Sequence, residues 1–152
     1  MTSDYDISSN DWLNISFRLC LALLFGAVIG LERQRQNKPA GLRTHMLVSL
    51  ASAIFTLIPM QISGMQPSPD AISRVIQGIA TGVGFLGAGE IVRQSSELPH
   101  KPKIRGLTSA AAIWVSAALG ITAGCGLWQL GLISVVLTFT VLNFFKKLEK
   151  TD

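Results

Sequence analysis

Apolar residues along the chain fall into five long runs separated by short polar clusters, covering residues 13–31, 44–62, 75–92, 108–123 and 127–145. The first run is interrupted only near its start, by Asn14, Ser16 and Arg18. At 1.5 Å rise per residue, runs of this length give roughly 24–29 Å of helix, against a hydrocarbon core of about 30 Å. The fourth run is the shortest, and Leu107 or residues 124–126 can extend it. Five soluble core helices would demand an interior larger than 152 residues can enclose. The pattern therefore predicts an all-α polytopic membrane protein. It is a single domain over residues 1–152, built as a bundle of five transmembrane helices.

Composition sharpens this reading. Hydrophobic residues make up 49% and charged residues 14%, with the charges gathered between the apolar runs. A water-soluble bundle would instead carry a polar face on every helix. The residues ahead of the first run include Asp4, Asp6 and Asp11 and no basic residue before Arg18. A cleaved signal needs a positive leading region, so this first segment is expected to stay in the mature protein.

Charge position then orients the bundle. Arg33, Arg35, Lys38 and Arg43 fill the first connection, Arg93, Lys101, Lys103 and Arg105 the third, and Lys146, Lys147 and Lys150 follow the fifth run. Eleven of the thirteen Lys and Arg residues thus fall on one side, with Arg18 and Arg74 near the other. The positive-inside rule predicts the N-terminus outside and the C-terminus in the cytoplasm. The net charge of +4 is then accounted for by topology and anionic head groups, without nucleic acid. Cys20 and Cys125 are expected at depths too different for a disulfide.

Helices in lipid associate through close backbone approach and polar contacts. Glycines four residues apart offer this at Gly26 and Gly30, Gly78 and Gly82, and Gly120 and Gly124. The third run is richest, with Gly78, Gly82, Gly84, Gly87 and Gly89, and is expected to sit centrally with neighbours on several faces. A short internal similarity links residues 40–48 (AGLRTHMLV) with residues 105–113 (RGLTSAAAI). It implies that Gly41 and Gly106 occupy equivalent turns, with Gly41 permitting the hairpin between the first two helices.

Polar residues gather at the predicted cytoplasmic ends. Glu32 closes the first run, and Arg43, Thr44 and His45 open the second. Glu90 lies near the end of the third with Arg93 after it, and Arg105, Thr108 and Ser109 open the fourth. Thr44, Thr108 or Ser109 could cap helix starts. Carboxylates near hydrocarbon are costly unless paired, so Glu32 and Glu90 are expected to meet arginines, with Arg43 and Arg105 the candidates across helices and Arg93 along one helix. His45 is read as a hydrogen-bonding group before a metal ligand. Trp12 reads as an outer-interface anchor, and Trp114 and Trp128 as membrane aromatics. Metal-ligand clusters, phosphate loops and nucleophile–base pairs do not stand out, so neither a bound cofactor nor enzymatic activity is expected.

The stretches GAVIGLERQR, PAGLRTHMLVSLASAIFTL, GIATGVGFLGAGEIVR and RGLTSAAAIWVSAALGI, in this order, resemble the MgtC/SapB family of bacterial inner-membrane proteins. The resemblance covers about residues 21–124 and implies the same five-helix membrane domain. It further implies a role in growth under magnesium limitation and survival inside host phagocytes, in some members through restraint of the proton-driven ATP synthase. The family's charged pattern maps onto Glu32, Arg33, Arg43, Thr44, His45, Arg93, Arg105 and Thr108. Longer members carry a cytoplasmic domain after the fifth helix, and this sequence reads as a short form ending at Asp152. Where the family usually has an apolar residue, this chain has Glu90.

Two function classes follow. One is a virulence-type regulatory protein that docks on another membrane complex through its glycine-rich faces and basic loops. The other is an ion or small-solute transporter or channel whose path runs past Glu90 and Gln77. The expected partners are membrane lipids, an inner-membrane protein or complex such as the ATP synthase, and a second copy of the chain.

Overall fold

The computed structural model describes residues 11–62, 68–96 and 104–145, and among them the protein consists of helices joined by short turns, with no strand. In chain order the helices are α1 (Trp12–Arg35), α2 (Leu42–Ile62), α3 (Pro69–Ser96), α4 (Leu107–Gly124) and α5 (Trp128–Thr140), the last continuing as a π-helical turn, Val141–Phe145. The first four are long and apolar enough to cross a membrane, and Trp128–Phe144 forms a shorter apolar helix. Thus the five runs become five helices. Residues 63–67 of the second connection and the basic segments 97–103 and 146–152, with five of the eleven charges that set the expected orientation, lie outside the described residues.

Local chemistry sets the ends. Asp11 caps α1 by accepting from the Asn14 amide at 3.1 Å. Pro69 opens α3, where its missing N–H costs no helical bond, and the Ser68 hydroxyl accepts from the Ala71 amide. Between α4 and α5 the chain turns at Gly126, whose φ of +76° few residues other than glycine adopt. There the Leu127 amide returns to the Thr122 carbonyl at 2.8 Å, closing the last turn of α4.

α4, not α3, occupies the centre. It packs on α1, α2, α3 and α5, and 56% of its apolar window is buried against 17% for α3. Glycines explain the close layers. A Cβ on Gly26 would lie 2.6 Å from the His45 carbonyl oxygen, and one on Gly30 would lie 2.7 Å from Leu42 Cα, so α1 and α2 touch backbone to backbone. A Cβ on Gly120 would overlap the Ser49 carbonyl, and one on Gly124 would meet the Ala53 carbonyl at 2.9 Å, which brings α4 onto α2. On α3, by contrast, Gly78, Gly82, Gly84 and Gly89 have open space where a Cβ would go, and Gly87 alone of its five glycines meets a neighbour, Ala110. Spacing predicted the right kind of contact for two pairs. It placed α3 wrongly, because that helix touches the bundle along one side and leaves four of its five glycines open.

The expected equivalence of the two turn glycines also needs correcting. Gly106 precedes α4 with φ +89°, whereas Gly41 is not in the left-handed region. In the first hairpin Asn37 takes that conformation, with φ 53°. Asparagine tolerates it better than most non-glycine residues.

Candidate functional site: a buried polar cluster between α1, α2 and α4

On α1 one stripe is buried: Arg18, Ala22, Phe25, Ile29 and Arg33. The spacing of four, three, four and four keeps them on one helix face. Apolar side chains fill the middle, and an arginine closes each end. Both arginines reach α4. Arg18 donates through Nη1 to the Gly124 carbonyl at 2.8 Å and through Nε to Asn14 Oδ1 at 2.7 Å. Arg33 donates through Nη2 to Ser109 Oγ at 3.0 Å. Residues 18 and 33, like 109 and 124, are separated by about 22 Å of helix, so the antiparallel pair is fastened at both ends. At the Arg18 end the cation also meets the negative end of α4, where the last carbonyls lack helical donors.

The Arg33 end carries the denser polar chemistry. Arg33 is 2% exposed and His45 fully buried. His45 Nδ1 bonds Ser116 Oγ at 2.8 Å, and its Nε2 lies 3.2 Å from the Ala40 carbonyl. Since a carbonyl can only accept, Nε2 carries the proton and Nδ1 accepts from the serine. The imidazole is thereby committed as a brace between α2, α4 and the first hairpin. Farther along α2, Ser49 donates to the Ala22 carbonyl at 2.7 Å, while Ser52 and Thr56 donate to carbonyls four residues back on their own helix. Such bonds satisfy hydroxyls inside hydrocarbon.

Glu32 is buried beside Arg33 and accepts from the Gln36 amide through Oε1. Glu90 accepts from Gln94 at 2.6 Å and pairs with Arg93 at 3.7 Å along α3. The expected cross-helix partners stand elsewhere: Arg43 and Arg105 are exposed. Their place is taken by Arg33, whose guanidinium feels the carboxylates of both Glu32 and Glu90. Its Nε is buried without a hydrogen-bond partner among the described residues.

The capping roles fail for a geometric reason. α2 starts at Leu42 and α4 at Leu107, which puts Thr44, Thr108 and Ser109 inside the helices rather than ahead of them. Thr44 and Thr108 are exposed, and Ser109 serves Arg33. The structure therefore gathers Glu32, Arg33, His45 and, at the edge, Glu90, while Arg43, Thr44, Arg93, Arg105 and Thr108 line the exterior. Both cysteines are free, and Trp12, Trp114 and Trp128 lie on the bundle surface.

Gln77 and Glu90 do not line one path. Thirteen residues along a helix separate their directions by about 140°. Gln77 and Thr81 face outward on α3, whereas only 12% of the Glu90 side chain is exposed. On the side of α3 toward α2 an apolar groove of about 950 Å³ opens between the two helices.

A model of the MgtC family matches residues 19–151. Protein SrpB of Synechococcus elongatus is 50% identical over 148 residues, which cover 95% of this chain and 81% of SrpB. The putative magnesium transporter YhiD of Escherichia coli is 42% identical over 135 residues, covering 86% of this chain and 60% of YhiD. Protein MgtC of Salmonella typhimurium is 40% identical over 119 residues, 78% of this chain and 47% of its own length. The chain thus spans about half of MgtC and three fifths of YhiD. No solved structure matches it. The family match covers all five helices except the first turns of α1, and the chain belongs to the MgtC family of membrane proteins.

Proposed function

We propose that this protein is a regulator in the bacterial inner membrane that acts by docking on another membrane complex, the proton-driven ATP synthase, and carries no enzymatic activity. In this reading it supports growth under magnesium limitation and survival in host cells. The N-terminus lies outside and the basic hairpin and C-terminus lie in the cytoplasm, as the charge distribution favours.

The outward face of α3 is the observation that carries the reading. Gln77, Thr81 and Phe85 follow one another at four-residue spacing and are all exposed, Phe85 to 81%. An amide turned toward hydrocarbon is unfavourable unless its hydrogen bonds are made, and Gln77 has only a long one, to Ser73 Oγ at 3.5 Å, so a partner could add others. Meanwhile the interior serines, threonine and histidine already spend their polar atoms within the bundle. Among the described residues, Gln77 and Thr81 reach only atoms of α3 itself, Ser73 Oγ at 3.5 Å and the Gln77 carbonyl at 2.9 Å, so their face stays turned outward. Such a face beside an interior bonded across helices suits a docking protein better than a conduit. The family resemblance supplies the choice of partner and the link to magnesium.

A second reading has its own support, since YhiD is named a putative magnesium transporter. The divergence of Gln77 and Glu90 around α3 weighs against a path within one chain. A photo-crosslinking phenylalanine analogue at Phe85 tests the choice in intact cells. Docking predicts a crosslink to a membrane subunit of the ATP synthase from Phe85 and none from Phe139 on α5. Equal capture from both positions, or none from Phe85, would sink it.

A further inference from the structure

We propose that the groove between α2 and α3 binds an anionic glycerophospholipid, with its acyl chains along the groove and its phosphate between Arg43 and Arg93. The groove walls are apolar almost throughout. The hydroxyl of Ser52 at its floor is already bonded to the Val48 carbonyl. Along α2 the lining runs from Leu47 to Ile62, about 22 Å of helix, longer than the ~15 Å of hydrocarbon in one leaflet. On α3, Gly78 and Gly82 leave the opposite wall low. A volume of about 950 Å³ inside hydrocarbon is not filled by water, so apolar matter occupies it.

Charge decides which matter. Arg43 lies one helical turn before Leu47, and Arg93 lies two turns after Leu86, so each continues the side of its helix that faces the groove. Both arginines are exposed. Glu90 pairs with Arg93 at 3.7 Å, which holds that side chain near the mouth and leaves the three ionised groups with one net positive charge. An apolar trough that ends in a doubly basic mouth complements a molecule with acyl chains and a phosphate. A second protein helix would not need the two cations. With the hairpin in the cytoplasm, the mouth faces the leaflet whose anionic lipids attract basic groups. The inference does not draw on Gln77, Thr81 or Phe85, the side chains of the docking face.

The test uses the full chain in phosphatidylcholine vesicles, with Trp12, Trp114 and Trp128 changed to phenylalanine and Leu86→Trp as reporter. Brominated-chain phosphatidylglycerol or brominated phosphatidylcholine is then added in small mole fractions. Half-maximal quenching is expected at about fivefold lower mole fraction of the anionic lipid, the gain associated with one surface cation. Arg43→Gln with Arg93→Gln should abolish the preference. Gly82→Leu, which fills the trough without touching the arginines, should weaken quenching by either lipid. Equal quenching by both lipids in the parent chain would mean ordinary boundary lipid and overturn the proposal. Quenching by neither, with Gly78→Cys crosslinking two copies, would assign the groove to a protein interface and also overturn it. Should the reporter chain not fold, retention of added phosphatidylglycerol over phosphatidylcholine by the wild-type chain in native mass spectrometry decides the same question, with no preference counting against the site.

Discussion

Gly120→Val is expected to remove most of the folded protein, whereas Gly82→Val is expected to leave its yield and thermal stability nearly unchanged. The two glycines look alike in the sequence, each preceding or following another glycine by four residues. Their surroundings differ. A Cβ on Gly120 would overlap the carbonyl of Ser49, and a backbone atom cannot swing aside as a side chain can. α2 would have to separate from α4, breaking the His45–Ser116 bond that joins them. Overpacking of this kind costs about 3 kcal/mol or more. Gly82 meets nothing within 4 Å, so valine there should fall within about 0.5 kcal/mol of the parent. Thermal unfolding of the detergent-solubilised chain, followed by size exclusion, reads both. Equal losses at the two positions would show that α3 packs more tightly than described.

The second large effect concerns Arg33. Arg33→Met nearly keeps the volume but strips Ser109 of its charged donor and removes the cation beside Glu32, while Glu90 keeps Arg93. Truncating one member of a buried charged network costs about 3–5 kcal/mol. Arg33→Lys should recover only part of the loss, because an ammonium lacks the planar fork of a guanidinium. Combining Arg33→Met with Ser109→Ala should cost less than the sum of the two, by about 1.5–3 kcal/mol for a hydrogen bond to a charged group. Strict additivity in that cycle would mean the Arg33–Ser109 contact contributes nothing of its own.

Arg33 also illustrates what was legible in the sequence. Five helices were readable because hydrocarbon thickness fixes run length, and each run came close to that length. The polar ends were harder, because a hydrophobic run stops where charge begins but a helix need not. α1 continues past Leu31 to Arg35, and that extra turn carries Arg33 onto the face of Ile29. The spacing from Arg18 through Ala22, Phe25 and Ile29 to Arg33 was present in the sequence. It was hidden by the assignment of Arg33 to a loop. Glycine spacing likewise identified surfaces able to pack without saying which had neighbours: Gly26, Gly30, Gly120 and Gly124 met backbones, while Gly78, Gly82 and Gly89 faced open space. Choosing between them needs the arrangement of all the helices, which no single helix pattern contains.

The proposed function draws on the same asymmetry. α1, α2 and α4 form a tightly fastened core, and α3 lies along it with two unfilled sides. In the account given above, the core holds the protein together and α3 meets the surroundings. The most direct test is proton pumping into inverted membrane vesicles prepared with and without this protein, driven first by ATP and then by respiration. The account predicts that ATP-driven pumping falls while respiration-driven pumping is unchanged. A fall in both would mean that the protein itself lets protons or another ion cross the membrane, and would contradict it.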